Sequence, residues 1–152
     1  MNAAEILDVL RERGALLRGH FRLSSGRHSN AFVQKFRVLE DPHLTQRFGE
    51  SLAAAPGLSF DVVASPAVGA VVLGFATALA SSARFVFAER EGDELHFRRG
   101  FSIAPQERVL VVEDVVTTGE SARRVVDLVR ASGGEPVGVA ALLDRSDAAK
   151  PL

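Results

Sequence analysis

Val109-Leu110-Val111-Val112-Glu113-Asp114-Val115-Val116-Thr117-Thr118-Gly119-Glu120-Ser121 is the stretch that decides how this chain folds. Its first four residues form an unbroken apolar run of strand length, the pattern of a strand buried on both faces. Two adjacent carboxylates, Glu113 and Asp114, follow at the strand's carboxyl end. Two threonines and a glycine then turn the chain. Val125, Val126, Leu128 and Val129 give the helix beyond them its apolar residues, and Gly133-Gly134 closes it. Val137 to Leu143 reads as one more buried strand. A strand, a helix and a second strand in this order predict parallel pairing, because parallel neighbours need a crossover.

The flanking sequence repeats the alternation. Phe60 to Ala64 reads as a strand that runs into Ser65-Pro66-Ala67 and an apolar helix from about Val68 to Leu79. Phe85 to Ala88 is a third strand, and the polar, charged stretch Glu89 to Gly100 is predicted as a loop or exposed hairpin. Upstream, Asp41-Pro42 starts a helix with Asp as N-cap and Pro at the first helical position. Leu44, Phe48 and Leu52 form its apolar face, and Pro56-Gly57 ends it. Asn2 to Arg13 reads as an amphipathic helix on Ile6, Val9 and Leu10, stopped by Gly14. Gly19 to Gly26 is predicted as a short strand closed by a turn, and Phe32 to Val38 as a second extended piece. The class is therefore α/β, with a central mostly parallel sheet flanked by helices. Ligands of such sheets bind beyond the carboxyl ends of the strands. Chemistry is expected just after Ala64, Ala88, Val112 and Leu143.

Bulk properties narrow the function. A chain of 152 residues fits one domain and hides roughly 68–70% of its unfolded surface. Net charge is −1, so nothing global argues for nucleic acid or an anionic membrane as partner. No apolar run approaches the roughly 20 residues that span a bilayer, and the acidic N-terminus (Glu5, Asp8) lacks a signal-peptide layout. With no cysteine there is no disulfide framework and no thiolate metal site, which is compatible with a cytoplasmic setting. Only two lysines, Lys35 and Lys150, stand against many arginines. That reads as a compositional bias, and it removes lysine as a candidate at most positions of a site.

The turn after the acids is where chemistry concentrates. Thr117, Thr118 and Ser121 offer hydroxyls, and the residues around Gly119 offer backbone N–H groups at a helix N-terminus, a favourable phosphate site. Adjacent carboxylates suit sugar hydroxyls, whose hydrogen bonds they accept, or a bound Mg²⁺. Together they describe a pocket for a sugar phosphate. The residues alone also fit a capped turn with solvated acids.

The whole string resembles the PRPP-binding motif of the type I phosphoribosyltransferases, PRPP being 5-phosphoribosyl 1-diphosphate. That motif is an apolar strand, two acids, two small or apolar residues, Thr-x-Gly and a small or hydroxyl residue. The resemblance implies that Glu113 and Asp114 hold the ribose hydroxyls and that Thr117, Thr118, Gly119, Glu120 and Ser121 wrap the 5-phosphate. Glu113 departs from the usual Asp at its position.

From about Gly14 to Arg145 the chain resembles the orotate phosphoribosyltransferases in particular, through Gly19-His-Phe-Arg-Leu-Ser-Ser-Gly-Arg-His-Ser29, Phe32, Ser65-Pro66-Ala67 and Leu143-Asp144-Arg145. This implies the type I phosphoribosyltransferase fold, with a small N-terminal hood over residues 1–40 and a PRPP-binding core over residues 58–145. It implies a base site at Ser24, Phe32, Val33, Thr117 and Arg145, with the arginine fork facing the orotate carboxylate. Ser65, Pro66 and Ala67 correspond to the pyrophosphate loop. Glu89 to Gly100 corresponds to the mobile loop, whose working cations would be Arg98 and Arg99, then Arg90 and His96.

Lysines common in the family are missing: Ser24 stands before the Ser-Gly of the hood, and the place after the pyrophosphate loop falls near Gly69. The chain also ends about seven residues after Arg145, where family members continue into at least one more strand. The implied reaction joins orotate and PRPP to give orotidine 5′-monophosphate and pyrophosphate, in pyrimidine biosynthesis. It implies Mg²⁺ carried in on PRPP, no direct protein metal site, and a homodimer. A phosphoribosyltransferase for a purine and a PRPP-sensing regulator without turnover are the competing readings. The Ser-Gly-Arg-His-Ser hood speaks against the first, and the missing lysines speak for the second.

Overall fold

The computed structural model describes residues 1–22, 26, 28–54 and 57–146. Helix α1 (Ala3–Glu12) opens with Asn2 and Glu5 in a reciprocal capping box and closes at Gly14, whose φ of 60° suits glycine. Strands β1 (Leu16–Arg22) and β2 (His28–Val33) pair antiparallel as a separate two-stranded hairpin. Residues 36–38, predicted as the end of an extended piece, instead belong to the short helix α2 (Phe36–Leu39). The reason is packing: Val38 and Leu39 are both buried in one core, which neighbouring residues of a strand, pointing to opposite faces, do not achieve. Helix α3 (Pro42–Ala53) starts as expected, with the Asp41 side chain accepting from the amides of His43 and Leu44.

The main sheet has the order β5-β4-β3-β6-β7. Strands β3 (Val62–Pro66), β4 (Arg84–Glu91), β6 (Arg108–Val116) and β7 (Glu135–Asp144) run parallel; β5 (Glu94–Phe97) adds antiparallel to β4. Helices α4 (Val71–Ser81) and α5 (Glu120–Ala131) make the crossovers. Residues of β6 divide by period two, as a doubly covered strand must. Leu110 and Val112 join the core beneath α1–α4, whereas Val109 and Val111 pack with Ala122, Val125 and Val129 of α5. No helix among the described residues is long and apolar enough to cross a membrane.

This strand order positions the site. From β3 the chain steps outward to β4, then returns to lay β6 on β3's other side. The gap between the carboxyl ends of β3 and β6 is the point where the direction of winding reverses, and ligands of open α/β sheets bind there. Ser65-Pro66 and Glu113-Asp114 lie at those two strand ends.

Candidate active site

Strand β6 carries Glu113 and Asp114 into near-complete burial, 6% and 3% exposed. Asp114 Oδ1 accepts from the Val115 amide at 2.6 Å, and Glu113 Oε1 accepts from the Asp114 amide at 3.1 Å. The Ser121 hydroxyl, in the first turn of α5, lies near Glu113 and favours its charged form. Burial, and then the neighbouring Asp114 charge, push the Glu113 carboxyl above its ordinary value of 4.5.

That shift links the site to stability. A buried acid with a raised native pKa binds more protons folded than unfolded, so stability falls as pH climbs from 4.5 through the native value. Glu113→Gln should therefore melt higher than the native protein at pH 7.5. The gap should shrink steadily as thermal melts are repeated toward pH 4.5.

The turn beyond the acids is open to ligand. Thr117 and Thr118 are exposed, and Gly119 holds φ 74° as the residue preceding α5. Thr118 Oγ1 accepts from the Glu120 amide only at a long 3.4 Å. Glu120 and Ser121 are exposed at the helix's first turn, and Glu120 pairs with Arg124 at 2.7 Å.

At the end of β3, Ser65 is fully buried with an Oγ that has no hydrogen-bond partner among the described residues. Pro66 closes the strand. Ala67 starts a turn over residues 67–70, so α4 begins at Val71 rather than Val68, with Ala70 as N-cap. The amides of Val68, Gly69 and Ala70 donate to no acceptor among the described residues. Three neighbouring free amides can donate to an anion.

The hairpin expectation for residues 89–100 holds, as β4 and β5 with a turn between them. Its cations do not meet the acid pair. Arg99 binds Glu89 through two bonds of 2.8 and 2.9 Å, Arg98 lies 3.8 Å from Glu91, and His96 lies 3.5 Å from Glu94. Arg90 is exposed. From the end of β7, Arg145 reaches the β1–β2 hairpin, its Nη2 3.3 Å from Ser29 Oγ and 3.4 Å from the Ala31 carbonyl. Phe32 on that hairpin stacks on Phe21, ring centroids 5.6 Å apart, and Val33 pairs with Leu16. Arg145 and the strand of Phe32 and Val33 are thus brought together. Ser24 lies outside the described residues.

One site residue escaped the sequence reasoning. Lys35, immediately before α2, forms an ion pair with Asp114 Oδ2, and that oxygen takes no other hydrogen bond among the described residues. A Cβ at Gly69 would collide with both of them. Composition had set lysine aside. The available signal was Lys35's place directly after the hood strand, on the path from hairpin to core. Among the described residues no three His, Asp or Glu side chains converge as a metal cluster.

Known proteins resemble this chain in sequence and fold. Residues 50–152 match the family model described as a phosphoribosyl transferase domain. The chain is 47% identical over 153 residues to an orotate phosphoribosyltransferase of Pelotomaculum thermopropionicum, covering all of this chain and 80% of that protein. The crystal structure of orotate phosphoribosyltransferase from Aeropyrum pernix superposes with a TM-score of 0.78 at 30% identity, over 92% of this chain and 81% of that one. An adenine phosphoribosyltransferase from Thermoanaerobacter pseudethanolicus shares the fold, with a TM-score of 0.73 at 21% identity, over 91% of this chain and 87% of that one. With the acid pair and the turn beyond it at the sheet's switch point, and relatives this similar over most of their length, the chain belongs to the phosphoribosyl transferase family, among the orotate phosphoribosyltransferases.

Proposed function

We propose that this protein transfers the phosphoribosyl group of PRPP to orotate, giving orotidine 5′-monophosphate and pyrophosphate in de novo pyrimidine biosynthesis. The observation that carries the reading is the buried Glu113–Asp114 pair beside the open turn Thr117–Ser121. The carboxylates accept hydrogen bonds from the ribose hydroxyls. The hydroxyls and amides of Thr117, Thr118, Gly119, Glu120 and Ser121 wrap the 5-phosphate at the start of α5. Ser65, Pro66 and Ala67, with the free amides that follow, receive the pyrophosphate. Mg²⁺ would be carried in on PRPP, where it would offset charge on the pyrophosphate, without a direct protein ligand.

In the reaction the bond from the ribose anomeric carbon to the pyrophosphate oxygen breaks, and its electron pair leaves with pyrophosphate. A ring nitrogen of orotate supplies the pair for the new carbon–nitrogen bond. Orotate is already an anion and needs no strong base. Catalysis then rests on positioning and on stabilising separated charge. Arg98 and Arg99, with Arg90 and His96 behind them, serve the departing pyrophosphate once the hairpin releases them from its own acids. Exposed, water-screened pairs of this kind cost little to open. Arg145, Phe32, Val33, Thr117 and Ser24 take the base, under a hood formed by residues 1–40 over the core of residues 58–145. The long contacts of Arg145 leave its guanidinium free to turn to a carboxylate.

Base competition tests the assignment: with PRPP and Mg²⁺, orotate should support pyrophosphate release and adenine, guanine and hypoxanthine should not. Release with a purine alone would replace orotate as substrate.

The reading includes a cytoplasmic homodimer. A chain without cysteine needs no oxidising compartment for its fold. Val72, Phe75 and Leu79 form an exposed apolar stripe along α4, continued by Val68 at 77% exposure. Such a stripe marks an association surface. Phe75→Glu combined with Leu79→Glu should convert a native dimer to monomers in light scattering. A double variant of unchanged mass would place the interface elsewhere.

A further inference from the structure

The site described above holds two carboxylates for the sugar, yet its substrate is a polyanion. The two arginines first named for pyrophosphate, Arg99 and Arg98, are paired with acids of their own hairpin. Among the described residues only Lys35 forms an ion pair with either acid. The Lys35 side chain is 27% exposed and that of Asp114 is 4% exposed, so the pair joins a partly exposed cation to a buried acid.

The position of its tip is the telling feature. Gly69 stands in the turn of free amides, and the Lys35 ammonium occupies the space that a Cβ at Gly69 would fill. Position 69 is also where the resemblance leads one to look for a lysine and this chain has none. An ammonium thus reaches that place from another segment, through the gap the glycine leaves. Asp114 is its partner in the ligand-free arrangement, and ribose hydroxyls that bind Asp114 must compete with it.

We propose that Lys35 is the pyrophosphate-binding cation of this site: the ribose hydroxyls of PRPP take over Asp114, and the released ammonium turns across Gly69 onto the pyrophosphate. The inference rests on the function proposed above. Its chemistry is that of a compact, flexible point charge meeting phosphate oxygens. The contact persists as negative charge builds on the leaving group, so it acts on departure as well as on binding. Lys35 would then couple the two halves of the substrate, because neither its bond to Asp114 nor its bond to pyrophosphate can be made while the other is in place.

Calorimetric titrations and steady-state kinetics test this. Calorimetry on the native protein and on Lys35→Gln uses Mg-pyrophosphate and ribose 5-phosphate separately, and steady-state assays add KM for PRPP and for orotate. Lys35→Gln should weaken pyrophosphate binding and raise KM for PRPP by on the order of tenfold to a hundredfold, the worth of one charge-assisted hydrogen bond. Ribose 5-phosphate should bind equally well or tighter, since Asp114 no longer has a partner to shed, and KM for orotate should stay unchanged. Lys35→Arg should recover most of the pyrophosphate affinity. A folded Lys35→Gln that binds pyrophosphate within twofold of the native protein would overturn the proposal.

Native protein gives a second readout that depends on no variant's folding. Reductive methylation with ¹³C-formaldehyde labels only Lys35, Lys150 and the N-terminal amine. Pyrophosphate should shift one lysine signal, and digestion with mass spectrometry after competitive labelling should show Lys35 protected. Protection of neither lysine would reject the role. The failure of the underlying function looks different: native protein that consumes no orotate still reports on Lys35 through pyrophosphate alone.

Discussion

Asp114→Asn yields a folded protein that has lost most of its turnover. Asn keeps the shape of Asp and loses the charge that accepts from the ribose hydroxyls. Each charge-assisted hydrogen bond is worth about 1.5–3 kcal/mol, so two of them predict a fall in kcat/KM on the order of 10²–10⁴-fold. Stability should change little, by about 1 kcal/mol or less, for two opposing reasons. The substitution removes a buried charge, 3% exposed, and removes the ion pair with Lys35. Lys35 is partly exposed and can turn to water, so no charge is left stranded inside. Steady-state kinetics beside a thermal melt separate the two effects. Near-native kinetics in a folded Asp114→Asn would show that the ribose is held elsewhere.

Gly49→Ala has the opposite signature: a large loss of stability at a position remote from the acids in sequence. Gly to Ala in a helix ordinarily stabilises, because Ala restricts the unfolded chain and favours the helix by up to about 1 kcal/mol. Here the new Cβ would lie 2.5 Å from the Ala76 carbonyl carbon and 2.7 Å from both the Ala76 oxygen and the Thr77 nitrogen. These are backbone atoms, and they cannot move aside without separating α3 from α4. The expected cost is about 3 kcal/mol, which lowers the melting temperature by roughly 6–12 °C. A melt within 2 °C of native would contradict the close approach of those helices. Because α4 follows directly on the turn at residues 67–70, the same variant should raise KM for PRPP before it unfolds the chain.

Local signals accounted for most of what the sequence revealed. The apolar run of β6 was legible because a strand covered on both faces has no polar residues to interrupt it, and its division between two cores follows from the pleat. The start of α3 was legible because Asp41-Pro42 is a self-contained cap. The acid pair and its turn were legible because nine consecutive residues, Glu113 to Ser121, carry both the geometry and the chemistry. Where long-range contacts decide, the reading drifted. Strand β3 lies two residues further along than expected, at Val62–Pro66, because its ladder with β4 extends through Ser65 and Pro66. Helix α2 was missed because four residues carry no period, and only the core beneath them selects a helix.

Lys35 was missed for a related reason: its partner is on a distant strand, and the cue at Gly69 is an absent side chain, which no pattern of residue types displays. Glu89 and Glu91 were read only as part of a charged loop or exposed hairpin, and their alternation along β4 places them to hold Arg99 and Arg98. A charge run in sequence gives no sign of which charges are already satisfied.

The most direct test of the account is orotate consumption by the purified native protein with PRPP and Mg²⁺, run beside Asp114→Asn and with the nucleotide product identified by mass. The account predicts orotidine 5′-monophosphate from the native chain and at most a hundredth of that rate from the variant. PRPP binding without any nucleotide product would contradict it and would make the chain a binder of PRPP rather than an enzyme acting on it.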